Sequence, residues 1–282
     1  MTNVLLLGHG AIAHDLIRLL SPEISRGEVH ICGAVVRDPS KHGDPAYPLY
    51  VAERLDEALA EADVVVECAG VAAAMAMGPR VIASGRDLIL TSVGALAHED
   101  ARRDLLGGPG KLVVTNGAIG GFDALAAASQ AGGVDEVTLR TSKLARALVQ
   151  PWMSEAEAER LEMLTEADGP LELFVGTPTE AIKKFPSNVN VSVALAWATQ
   201  DLLPKDASLA DRVANLERAL ERVQVTIVAD AAATLSEHLI RTSGRAGTCE
   251  FHFLNAPSPT NPRTSGFTAM SVARDLREWL RG

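Results

Sequence analysis

The chain is poor in the features that would place it outside the cell or in a membrane. Its three cysteines, Cys32, Cys68 and Cys249, are far apart and form no C-x-x-C pair. That excludes a disulfide framework and a thiolate zinc site, and fits a reduced cytoplasm. No apolar run is long enough to span a bilayer. The opening "MTNVLLLGHG" has no basic leader region and runs straight into a strand, so no export signal is expected. Positive charge is also short: the net charge is −10, with Asp and Glu spread along the chain. General binding to nucleic acid or to an anionic membrane is excluded on that basis, and an anionic substrate requires a local cationic pocket. There is no internal repeat, no low-complexity tract and no metal-ligand cluster.

What is present is an alternation of apolar strands and helical segments. "NVLLLGHGAIAHDLIRLL" gives a strand at Val4 to Leu7, a glycine turn and a helix. "VHICGAVV", "DVVVECAG", "DLILTSVG" and "KLVVTNG" read as further strands, with helices between them. Continuous apolar strands alternating with helices predict a parallel sheet covered on both faces. Gly8, Gly10 and Ala13 make the G-x-G-x-x-A form of the dinucleotide fingerprint, with Ala11 and Ile12 inside it. The first glycine permits the turn, the second lets a pyrophosphate approach the backbone, and the third small residue packs helix on strand. The helix N-terminus offers free N–H groups to the phosphates.

NAD and NADP are distinguished at the end of the second strand, by an acid for the ribose 2′-hydroxyl or an arginine for a 2′-phosphate. Here Arg37 is followed by Asp38, so the two signals compete and NAD or NADP is expected. Ligands bind at the carboxyl ends of parallel strands. Cys68, Ala69 and Gly70, then Ser92, Val93 and Gly94, are therefore candidates for the ribose and nicotinamide. The same is expected of the stretch "NGAIGG".

After residue 120 the alternation becomes irregular. "DEVTLRTSKL" and "PLELFVG" read as strands, and "TPTEAIKKF" as a short helix opened by a Thr177–Glu180 capping box. A helix follows from Ala207 to Arg222, then the strand "VQVTIVAD" and a hairpin of "EHLIRTSG" with "GTCEFHFLNA". The last helix is expected to be capped near Thr264 or Ser265. One polar face on these strands predicts an open antiparallel or mixed sheet, with helices on its other side. The expected whole is an α/β Rossmann domain at 1–120, with a helix at 262–282 packing back on it, and an α+β catalytic and dimerisation domain at 121–261. Lys143, on the sheet, and Arg263 with Thr264, at the last helix's start, are candidate donors to an anionic substrate. "KKFPSNVNVSVALAWATQ" resembles a buried helix interrupted by Asn188 and Asn190, whose amides need partners. Of the histidines, His9 is the variable residue of the glycine turn, His252 belongs to a polar sheet face, and His14, His30, His42 and His98 read as surface.

Taken together, "GHGAIA", "ECAG", "SVGAL", "NGAIGGFDAL", "GTPTEAIKKFPSNVNVSVALA" and "NAPSPTNPRTS" resemble the L-aspartate dehydrogenase family over nearly the whole chain. The resemblance implies a Rossmann domain, a mixed α/β catalytic domain and a homodimer. It implies oxidation of L-aspartate to iminoaspartate with NAD or NADP, followed by hydrolysis to oxaloacetate and ammonia or use in NAD biosynthesis. It places the catalytic histidine on His238 and cofactor contacts on Ala118 and Asn190. Asn188 then either caps its helix or holds a substrate carboxylate.

The chain departs from the family pattern at Val71, where the family usually has histidine, at Ala231 for proline, and at Ser236-Glu237 for Asn-Val. These changes flank the expected site and leave two rivals open. One is a dehydrogenase or imine reductase acting on another amino acid or a semialdehyde. The other is a non-catalytic nucleotide-sensing protein.

Overall fold

A computed structural model describes residues 1–186, 189–261 and 264–282. The chain divides into two compact units, Met1–Gly117 with Thr268–Gly282, and Ala118–Phe267.

In the first unit, strand β1 (Thr2–Leu7) leads through the glycine turn into α1 (Ala11–Leu19) and the short α2 (Ser21–Ser25). Then follow β2 (Val29–Val35), the two-residue β3 (Leu49–Tyr50), α3 (Leu55–Glu61), β4 (Val64–Glu67) and α4 (Val71–Ala83). Strand β5 (Asp87–Leu90), α5 (Glu99–Gly107) and β6 (Leu112–Val114) complete the series. All neighbouring strands pair in parallel, in the order β3-β2-β1-β4-β5-β6. Each of β1 and β4 is a run of branched side chains, because both faces of a parallel sheet are covered: Val4 to Leu7 and Val64 to Val66 have no exposed surface. Fully burying such a side chain contributes roughly 1.5–3 kcal/mol.

The second unit opens with α6 (Phe122–Gln130), β7 (Glu136–Leu144), α7 (Glu155–Glu162) and β8 (Leu171–Gly176). It continues through α8 (Pro178–Lys184), α9 (Asn190–Ala198), α10 (Leu209–Arg222), β9 (Val223–Asp230), β10 (Ser236–Gly244) and β11 (Gly247–Asn255). Its sheet has the order β11-β10-β7-β9-β8. The sheet is mixed: β7 and β9 run parallel, and the other pairs are antiparallel. The parallel pair arises because the chain between β7 and β9 crosses over through helices, which a hairpin cannot do.

Local signals set several helix starts. The Thr177–Glu180 capping box opens α8, and Ser208 with Asp211 forms a second that opens α10. A third, Ser154 with Glu157, opens α7 in a stretch where the sequence reading assigns no element. The last helix, α11 (Gly266–Trp279), begins where Ser265 Oγ accepts the Phe267 N–H at 3.2 Å. It buries Ala269, Val272, Ala273 and Leu276, one face at helical spacing. Within the first unit, Arg277 pairs with Glu23 at 2.7 Å and Trp279 Nε1 donates to Asp87 at 2.8 Å.

Candidate active site

In a sheet of this order the strand sequence reverses between β1 and β4, and a crevice opens at their carboxyl ends. A cleft of about 600 Å3 lies there, lined by Gly8, His9, Gly10, Arg37, Cys68 and Ala69, among others. The two glycines of the turn serve different ends. Gly8 has φ +98, and a Cβ on it would lie 2.8 Å from the Ala69 backbone, so only glycine lets the β1 and β4 turns meet. Gly10 has φ −100, which any residue adopts, and nothing lies within 4 Å of where its Cβ would be. Neither backbone geometry nor packing demands glycine at position 10. The open space over this position fits the close approach of a dinucleotide pyrophosphate. The first turn of α1 carries no side-chain cap and no acid, so its N–H groups suit an anion. Ala11, Ile12 and Ala13 form that turn, with Ala13 buried in the core.

The loops after β4 and β5 are held by a residue whose role the sequence reading missed. Glu67 is fully buried. Its Oε1 accepts from Ala69 N, Gly70 N and Ser92 Oγ at 2.8, 3.0 and 2.9 Å, and its Oε2 from Ser92 N at 2.7 Å. Burial is the larger effect and raises its pKa, against the opposing pull of the Ser92, Ala69 and Gly70 donors. Four donors on two oxygens are the pattern of an ionised carboxylate. Glu67 thus sets the positions of Ala69, Gly70 and Ser92, three of the expected cofactor residues. Val93 and Gly94 follow in a buried 3-10 turn. The available signal was an acid inside an otherwise apolar run, since acids are almost never fully buried without partners.

The glycine turn also carries an unforeseen histidine cluster. His9 is 9% exposed, and its Nε2 lies 2.7 Å from Tyr47 Oη. His14 and His42 stand edge-on to its ring at 4.5 and 5.3 Å. His42 is therefore not a bare surface residue, as the sequence suggested, but lines the cleft. Burial, and then the two neighbouring histidines, lower the His9 pKa. Its Nδ1 is buried without a partner among the described residues.

In the second unit, His238 lies directly opposite Thr141 across the β10–β7 ladder. Its Nδ1 is 3.0 Å from Thr141 Oγ1, and the residue is 2% exposed. Alternation along β7 puts Lys143 on the same face as Thr141. This is the helix-covered face, while Glu237, Arg140 and His252 form an ion-pair chain on the other. Burial first, and the Lys143 ammonium second, push the His238 pKa down to about 3. Burial lowers Lys143 to about 8. Lys143 lines a cavity of about 610 Å3 with Arg146, Glu162, Ser236 and Asn255. Asn255 Nδ2 donates to the Ala118 carbonyl at 2.7 Å, which ties Ala118 to that cavity's wall.

Other expected site residues fall differently. Asn190 is the first residue of α9, behind Val189 at the N-cap, so it is not an interior fault of the helix. Thr264 sits in a tight turn, where its carbonyl accepts from Ser258 N at 2.7 Å. Asn188 and Arg263 lie outside the described residues. Gly121, in the stretch expected near the nicotinamide, has φ +78, and a Cβ there would meet the Phe251 ring at 2.5 Å, so packing accounts for it. Among the described residues no group of His, Cys, Asp and Glu could hold a metal ion, and no helix could cross a membrane.

A parallel sheet of this order, with a glycine turn open to a ligand at its switch point, defines the class: a dinucleotide-dependent oxidoreductase with a second, mixed-sheet domain. Family models agree: "Homoserine dehydrogenase, NAD binding domain" matches residues 8–108, and "Aspartate dehydrogenase, C-terminal" matches residues 123–279. The L-aspartate dehydrogenase of Brucella anthropi is 32% identical over 97% of this chain and 94% of its own length. That of Ruegeria pomeroyi is 32% identical over 98% and 91%. The crystal structure of aspartate dehydrogenase from Thermotoga maritima superposes with a TM-score of 0.68 at 24% identity, covering 100% of this chain and 96% of that one. The chain belongs to the aspartate dehydrogenase family.

Proposed function

We propose that the protein oxidises L-aspartate to iminoaspartate with NAD or NADP, acting as a cytoplasmic homodimer. The observation that carries this reading is the buried Thr141–His238 pair with Lys143, which itself lines a cavity of a size usual for small-molecule sites. The dinucleotide, when bound, supplies the hydride acceptor for the substrate Cα. Everything else falls to the protein. The substrate ammonium must lose a proton before its nitrogen lone pair can form the C=N bond as the Cα–H bond breaks. His238, neutral at working pH, is the proposed acceptor, with Thr141 fixing its ring. Lys143 is the proposed donor to a substrate carboxylate. A carboxylate there would also offset the Lys143 ammonium, the smaller of the two causes that depress His238 after burial, and so raise its basicity in part. Ala118 and Asn190 are proposed contacts of the cofactor, with Asn188, Arg263 and Thr264 as further substrate donors. Hydrolysis of the released imine would give oxaloacetate and ammonia, or the imine would feed NAD biosynthesis. The three free thiols support the cytoplasmic assignment.

The test is reduction of NAD or NADP on adding L-aspartate to purified protein, compared with other amino acids. His238→Ala and His238→Asn should each lose on the order of 10²–10⁴-fold in turnover while keeping dinucleotide affinity. Near-native turnover in the Asn variant would remove the proton-transfer role. Light scattering in solution tests the dimer.

A further inference from the structure

We propose that the cleft of the first unit is built for the 2′-phosphate of NADP, with Arg37 as the discriminating group and Lys41 and His42 beside it. This rests on reading that cleft as the dinucleotide site. The sequence leaves Arg37 and Asp38 in competition, and their surroundings separate them. A ribose 2′-hydroxyl is read by an acid placed at the end of the second strand. Here β2 ends at Val35 and is followed by Val36, an apolar residue 6% exposed, whose N–H is bonded to the Tyr50 carbonyl at 2.8 Å.

The acid that follows is already engaged. Asp38 Oδ1 accepts from Ser40 N at 3.1 Å and from Ser40 Oγ at 2.6 Å, and Oδ2 lies 3.7 Å from Lys41 Nζ. These bonds cap the 3-10 turn Pro39–Lys41. Asp38 therefore acts as the fastener of a turn that carries Lys41 and His42 to the cleft wall. Arg37 is exposed on the same wall and has no hydrogen-bond or ion-pair partner among the described residues. Its planar fork suits bidentate pairing with a phosphate. His42, edge-on to the anchored His9 ring, adds an N–H donor. In a chain of net charge −10, the Arg37 and Lys41 cations on this wall are what a phosphate dianion requires. One other acid lines the cleft, Glu53, on the turn after β3. If Glu53 rather than Arg37 reads the ribose, the preference reverses towards NAD.

The experiment is titration of the full-length protein with NADPH and with NADH, followed by nicotinamide fluorescence, for native, Arg37→Ala, Arg37→Asp and Glu53→Gln proteins. Melting curves confirm that each variant folds. The native protein should bind NADPH at least about tenfold more tightly than NADH, the value of a charge-assisted contact. Arg37→Ala should close that gap by weakening NADPH alone, and Arg37→Asp should invert it. Glu53→Gln should leave the ratio unchanged or raise it. Equal native affinities, equal weakening of both dinucleotides by Arg37→Ala, or loss of NADH binding in Glu53→Gln would each overturn the proposal. Failure of both dinucleotides to bind the native protein would instead remove the dinucleotide reading of the cleft, and the proposal with it.

Discussion

Replacing Gly8 and Gly10 separately by alanine should separate folding from cofactor binding. The two glycines are two residues apart in one turn, yet their surroundings differ. At Gly8 the added Cβ would lie 2.8, 2.9 and 3.0 Å from Ala69 Cα, Cβ and N, and two of these are backbone atoms that cannot rotate away. The residue is also at φ +98. Holding a non-glycine residue in such a region costs about 1–3 kcal/mol before the clash is counted. Gly8→Ala should therefore melt several degrees lower. At Gly10 the backbone is extended and the space is open. Gly10→Ala should stay within about 1 kcal/mol of the native stability, because the gain from a stiffer unfolded chain, roughly 0.4–1 kcal/mol, is offset by alanine being a poorer N-cap for α1. The new methyl group would nonetheless stand where the pyrophosphate must approach the first turn of α1. Losing one or two charge-assisted backbone contacts, at roughly 1.5–3 kcal/mol each, weakens dinucleotide binding by about tenfold to a hundredfold or more. Thermal unfolding without ligand gives the first quantity, and NADH or NADPH titration gives the second. Native-like affinity in Gly10→Ala would refute the argument that the ligand's backbone crosses that point. A melting loss in Gly10→Ala equal to that of Gly8→Ala would refute the claim that packing does not require glycine there.

Two further changes probe the buried charges. Glu67→Gln places an amide NH2 among four N–H and O–H donors, so at least one pair of donors must face each other. Stability should fall by roughly 2–4 kcal/mol and dinucleotide affinity with it; an unchanged melting temperature would mean that the native carboxyl is protonated. The His238 pKa is lower in the folded protein, about 3, than the ordinary 6.5, so below pH 6.5 the unfolded chain binds the extra proton. Its contribution is fully present above pH 6.5 and is lost as pH falls towards 3, at up to about 1.4 kcal/mol per pH unit. Asp275, raised to about 6 by burial, works in the opposite sense, so the difference between native and His238→Gln stability curves isolates the histidine. A flat difference between pH 4 and 6 would show that His238 reaches water in the folded state.

Sequence pattern alone determined the parts of this protein that depend on periodicity and on short-range chemistry. Runs such as "NVLLL" and "DVVVE", alternating with helical stretches, read as strands covered on both faces. The capping box at Thr177 places a helix start because every group in it lies within three residues. The G-x-G-x-x-A turn announces a dinucleotide because its chemistry is the backbone's own. The family motifs single out His238 as a proposed catalytic residue in the same way, as a position in a pattern. Tertiary structure decided whatever depends on groups distant in the chain or on which atoms are already engaged. Glu67 reaches Ser92 across 25 residues, and His9 meets Tyr47 across 38. Arg37 and Asp38 are equivalent as letters, and only the Ser40 bonds show that one carboxylate is occupied while the guanidinium has no partner among the described residues. Gly8 and Gly10 are likewise the same residue in one motif. A neighbour 61 positions away, Ala69, makes the first a packing requirement and leaves the second open to a ligand. Hydrogen bonding and steric exclusion act through space, so a linear pattern names the residue types and the fold settles how each one is used.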